Sequence, residues 1–164
     1  MIEYVKNELK APRNIVYDKR DNSCSISVMN DVFVQHLMNN GVLEGTSNRF
    51  FPNISDELIP HYIRGLFDGD GSITIRKAHS YGKAMRCCLV LSAHLNLVNQ
   101  LQDYLERKLG LTHLNLCSDG GDAYSIRYSS HKDFLTVTDF IYDNANIFLK
   151  RKHQKYEQAL SYLS

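Results

Sequence analysis

The chain has 164 residues, 43% of them apolar and 23% charged, with a formal net charge of +1. That is enough for one domain or two small half-domains with a real core, so disorder is excluded, and any basic surface must come from local segregation of charge. Four cysteines with no CxxC pair and no secretory signal read as reduced thiols in an intracellular chain, cytoplasmic or organellar and not secreted. No apolar run approaches the roughly 20 residues of a membrane span, so no membrane partner is expected.

Ile2, Val5 and Leu9 share one face of a helix that opens at Met1 and ends at Pro12. No capping residue precedes it, which leads us to expect that something upstream is absent. Residues 14–19 and 23–30 read as two strands about a turn at Asp21-Asn22. Asp31 is expected to cap a helix over residues 32–40 that stops at Gly41. Residues 45–53 form a polar connector ending in Phe50-Phe51-Pro52.

The next stretch is the most informative. Leu58, Tyr62 and Leu66, with Ile59, Ile63 and Phe67, recur at helical spacing. Ser55 or Asp56 suits the N-cap, Pro60 falls in the first turn, and Gly71 is the stop. A strand over residues 72–77 follows, then a loop with His79, Ser80, Tyr81, Gly82 and Lys83, and a second strand over residues 85–92. A helix starting at Asn96 or Leu97 carries the stripe Val98, Leu101, Leu105 and Leu109 and ends at Gly110. Strands over residues 112–117 and 123–129 flank the turn 118–122, and helices over residues 132–142 and 147–163 complete the chain.

Two features of the central helix are unusual. Gly65 and Gly69 lie on one face, each costing roughly 1 kcal/mol relative to Ala. Such a pair lets another helix backbone approach closely. Asp68 and Asp70 lie at the C-terminal end, where the macrodipole disfavours negative charge. Acids clustered there suit a divalent cation. A calcium loop starting at Asp68 fails on spacing, because its sixth and twelfth positions would be Ile73 and His79 rather than Gly and Glu.

Ile63-Arg64-Gly65-Leu66-Phe67-Asp68-Gly69-Asp70-Gly71 resembles the LAGLIDADG motif of homing endonucleases, with Arg64 and Gly69 standing where the family name has Ala. The resemblance implies an α+β fold: an αββαββα repeat over residues 55–164 with a curved antiparallel β-sheet saddle, preceded by a partial αββα repeat over residues 1–54 that lacks its motif helix. A weak internal repeat agrees in element order, residues 24–28 paralleling 124–128 and residues 32–37 paralleling 134–140.

The resemblance further implies Mg²⁺-dependent hydrolysis of both strands at a long double-stranded DNA site. Asp70 would be the catalytic acid and metal ligand, joined by the Gly71 carbonyl, while Asp68 would support the helix end. Lys152, in the basic run Lys150-Arg151-Lys152, would face the DNA backbone or stabilise developing charge. Strand alternation leaves Ser72, Thr74, Arg76, Arg86, Ser125 and Arg127 on one face as the DNA-reading surface, with Lys77 and Lys83 on phosphates. Because the family pairs two motif helices, Leu58, Tyr62, Gly65, Leu66 and Gly69 are expected to meet a homodimer mate or a partner chain. A chain with one acid could also serve as a non-cleaving, maturase-like binding protein, or as one half of a split endonuclease.

Overall fold

A computed structural model of the chain describes residues 2–21, 23–42, 49–78 and 84–163. The contacts divide it into two units, Met1–Asn39 and Asn40–Ser164. The first holds α1 (Ile2–Glu8), β1 (Val16–Asp18), β2 (Ser23–Ser25) and α2 (Asp31–Asn39). β1 and β2 pair antiparallel, with Tyr17 opposite Cys24. They are shorter than the expected strands, as befits a two-stranded ribbon with no third strand beside it. The α2 cap lies one residue earlier than expected: Asn30, not Asp31, accepts the Phe33 N–H on its side-chain oxygen at 3.0 Å. Ala11 is the one buried residue among those described in this unit, and Val16, Tyr17, Met29 and Val32 are exposed.

The second unit holds α3 (Ile59–Asp70), β3 (Ser72–Lys77), β4 (Met85–His94), α4 (Leu95–Leu109), β5 (Cys117–Gly120), β6 (Ala123–Tyr128), α5 (His131–Tyr142) and α6 (Lys150–Leu163). The element order is therefore αββα, then αββαββα with a last helix. The strands form one antiparallel sheet in the order β3-β4-β6-β5. Alternation, strict in β4 and broken in β6 where Ser125 and Ile126 are both buried, explains its layering. Ile73, Cys87, Leu89, Leu91, Ile126 and Tyr128 are buried on one face against Ile63 and Phe67 of α3, Leu101 and Leu105 of α4, and Phe134 and Ile141 of α5. The other face carries the polar residues of each strand.

Local chemistry sets most boundaries. The His94 ring accepts the Asn96 N–H at 3.2 Å to start α4, and Gly110, at φ +65°, closes it. Ser130 caps α5 through the Asp133 N–H at 3.0 Å. α3 has no side-chain cap. Leu58 already has helical dihedrals, and the Ser55 and Asp56 carbonyls accept from Leu58 and Ile59 in the preceding turn. Asp56 instead pairs its carboxylate with Lys108 at 2.8 Å.

Two expected elements are displaced. The third strand begins at Cys117 rather than residue 112. The segment before it packs on the helix layer through Leu111 and Leu114, and Gln102 donates to the Leu114 carbonyl at 3.0 Å. α6 begins at Lys150 rather than residue 147, because the Ile147 carbonyl and the Leu149 N–H are taken up by side chains of α3. Among the described residues no helix is long and apolar enough to cross a membrane.

Candidate functional site

The junction of α3 and β3 is tightly built. Gly71 turns the chain from helix to strand while buried, in extended backbone. A Cβ there would stand 2.5 Å from a Phe67 ring carbon and 2.8 Å from the Phe67 and Val90 carbonyl oxygens, so only glycine fits. The last carbonyls of a helix lack intrahelical donors. Lys152, in the first turn of α6, supplies them. Its ammonium donates to the carbonyls of Phe67 (2.5 Å), Asp68 (2.9 Å), Gly69 (3.4 Å) and Gly71 (2.6 Å). It lies 5.0 Å from the Phe67 ring centroid, at the negative end of the α3 dipole. Burial pushes the Lys152 ammonium below its ordinary pKa and Arg151 adds repulsion, while Asp68 and Asp70 oppose the shift.

The two acids of α3 fall on opposite faces. Asp68 is buried and accepts the Leu149 N–H at 2.9 Å, fixing the connection into α6. Arg64, also buried, donates to the carbonyls of Ile141 and Ile147, both at 2.8 Å, and to the His61 ring at 2.7 Å. Burial lowers the Arg64 pKa, and Asp68 partly restores it. Asp70 is exposed at the helix end. It opens onto a cleft of about 630 Å³ lined also by Arg49, Ser92, His94, Asp119 and Asp122.

The open face of the sheet carries Ser72, Thr74 and Arg76 from β3, Arg86, Cys88 and Ser92 from β4, and Ser125 and Arg127 from β6. Register sets Arg76 directly opposite Arg86, both exposed. Like charges so placed destabilise a bare sheet and favour an anionic ligand. Lys77 is exposed at the strand end. Burial pushes the Cys88 thiol up, while Arg127 and Arg76 pull it down, which registers the positive field of this face.

The third feature is a free stripe on α3. Gly65 and Gly69 are exposed, and a Cβ on either would meet nothing within 4 Å. Leu58 is 51% exposed on the same stripe, and Tyr62 and Leu66 are half-buried, with Phe51 edge-on to Tyr62 at 6.0 Å.

Solved structures match this arrangement. The LAGLIDADG meganuclease I-AabMI, in a structure bound to uncleaved DNA, superposes over 98% of this chain and 76% of its own, at TM-score 0.62 and 14% identity. This is the LAGLIDADG homing-endonuclease fold. The I-SmaMI LAGLIDADG homing endonuclease bound to cleaved DNA matches at TM-score 0.50 and 19% identity, over 63% of this chain and 35% of its own, so the present chain spans about a third of that protein. The homing endonuclease I-TnaI matches at TM-score 0.47 and 16% identity, over 63% and 70% of the two chains. No protein-family model matches the sequence, and no curated protein does.

α3 carries the LAGLIDADG-like stretch, and several expected site residues acquire definite places. Asp70, Ser72, Arg76, Lys77, Arg86 and Arg127 are exposed, Thr74 is half-buried, and Ser125 is fully buried beneath its neighbours. Lys83 lies outside the described residues. Lys152 differs from expectation: its ammonium is taken up by four backbone carbonyls instead of facing outward. The Gly71 carbonyl, expected to join a metal, accepts from that ammonium, whose charge would repel a second cation. Sequence reasoning missed Arg64, whose two carbonyl partners lie some eighty positions away, and Asp119, which read as a turn residue.

Proposed function

We propose that this chain contributes one acid of a paired active site in a LAGLIDADG-type endonuclease that hydrolyses both strands of a long DNA site with Mg²⁺. The second motif helix comes from a second copy or a partner chain seated on the free stripe of α3. The observation that carries this reading is the Gly65–Gly69 stripe ending at exposed Asp70. Two glycines cost a helix about 1 kcal/mol each, and none of the described residues uses the space they open. The fold neighbours, I-SmaMI and I-AabMI bound to DNA, support the same reading.

The donor chemistry suits Mg²⁺. The ion keeps several waters and needs only one or two carboxylates plus phosphate oxygens. Asp70 is a free carboxylate, and no group of three or more His, Cys, Asp or Glu that could hold a metal exists among the described residues. We therefore assign Asp70 alone, without the Gly71 carbonyl, as this chain's ligand. When bound, the ion polarises the phosphate and lowers the pKa of a bound water. Lys152 positions Asp70 by fixing the helix end. Ser72, Thr74, Arg76, Arg86 and Arg127 face the grooves, buried Ser125 supports Arg127 from beneath, and Lys77 and Lys83 contact phosphates. Residues 1–54 act as a partial first repeat.

The test selects cleaved sites from a plasmid library with a randomised insert, in Mg²⁺ buffer, for the wild type and Asp70→Asn, with sedimentation run in parallel with and without duplex. Expected are loss of cleavage with retained DNA binding in the variant, and an assembly larger than one chain on DNA. An Asp70→Asn protein that cleaves like the wild type overturns the assignment. A wild type that binds without ever cutting points instead to the maturase-like reading.

A further inference from the structure

The β5–β6 hairpin carries a bulge. Cys117 pairs with Ser125 and Ser118 with Tyr124, but the next pair is Gly120 with Ala123, so Asp119 has no partner across the ladder. Gly120 and Gly121, at φ +108° and +56°, absorb the irregular backbone. Bulges re-aim side chains. Here the Asp119 carboxylate reaches across the open face. It accepts from Arg127 Nη2 at 3.1 Å and from Ser92 Oγ at 3.4 Å. Arg127 Nε in turn donates to the fully buried Ser125 Oγ at 3.4 Å. Two nitrogens of the guanidinium fork are thereby held, and Nη1 makes no hydrogen bond to the described residues.

An acid reaching over a DNA-facing surface from its edge strand works against phosphate attraction. It cancels the charge that would make Arg127 a counterion-releasing contact. It leaves Nη1 and the second N–H of Nη2, the end of the planar fork, to read guanine O6 and N7 in the major groove. We propose that Asp119 is a specificity-determining positioning residue, which fixes Arg127 as a base reader and withholds it from phosphates. This rests on the DNA-binding reading above.

Anisotropy with a random-sequence duplex pool over a KCl series, and selection of bound sites from the same pool, test it for the wild type, Asp119→Asn, Arg127→Ala and the double variant. Asp119→Asn steepens the slope of log affinity against log [KCl] by about 0.9, one added phosphate contact. It lowers base discrimination at one position about tenfold. In the Arg127→Ala background both effects vanish. Asp119→Glu, which keeps the charge and moves the carboxylate by one methylene, retains the shallow slope and loses the discrimination. Equal thermal melts establish folding. A wild type that binds no duplex sinks the DNA reading and this proposal together. A wild type that binds, with Asp119→Asn altering neither quantity or altering both equally without Arg127, sinks this proposal alone.

Discussion

At the scale of single residues, Lys152 shows how a charge can serve structure at a helix end. Its ammonium is buried and its donors reach the Asp68 and Gly69 carbonyls that α3 leaves open, together with those of Phe67 and Gly71. Lys152→Met keeps the apolar stem and removes the donors. Each buried acceptor left unpaired costs roughly 1–3 kcal/mol, partly offset by water entry and by relief of the desolvated charge. We expect a loss of about 3 kcal/mol in urea denaturation. A loss below about 1 kcal/mol would mean that the desolvation cost cancels the hydrogen bonds. The residue was visible in the sequence as one of a basic run, but its role was not. Its partners sit more than eighty positions upstream, and periodicity reports only neighbours. The same distance hid Arg64, which reads as a substituted motif position and is in fact the tie between α3 and the α5–α6 connection.

Elements were more legible where one face is buried. The alternation of β4 gave both faces, and the register carries it to β3 and β6, but in β6 it missed the burial of Ser125 beside Ile126. It failed over residues 112–116, where Gln102 takes a carbonyl that a strand would have paired. It failed again before α6, where α3 takes up the backbone groups of Ile147 and Leu149. α3 itself carries the clearest conflict between local preference and use. Gly65→Ala and Gly69→Ala place a methyl in open space, so each should stabilise the isolated chain by up to about 1 kcal/mol. Each should also weaken assembly on DNA in sedimentation. Variants that are no more stable, or that assemble unchanged, would show that the glycines serve something other than close helix approach.

At the scale of the whole molecule, the core is tuned to neutral phenols. Tyr128 and Tyr142 are buried with hydroxyls that have no hydrogen-bond partner among the described residues, and Tyr156 donates to Asp139 at 3.0 Å. Burial pushes all three upward, Tyr156 to about 12. The unfolded phenols ionise at 10.0, before the folded ones. Stability from these groups is therefore fully present below pH 10 and falls as pH rises from there through the folded values. Urea midpoints should drop between about pH 10 and about pH 12, with tyrosinate absorbance appearing together with loss of the far-UV signal. Tyrosinate forming while the fold persists would contradict this.

The bond from Lys152 to the end of α3 also constrains the order of events in synthesis. The motif helix leaves the ribosome some eighty residues before the lysine that closes its terminus. Until then its last carbonyls face water and the turn at Gly71 lacks its clamp. A nascent chain thus holds the acid long before it holds the acid's geometry. Any nuclease chemistry at Asp70 would be switched on late, by the arrival of α6.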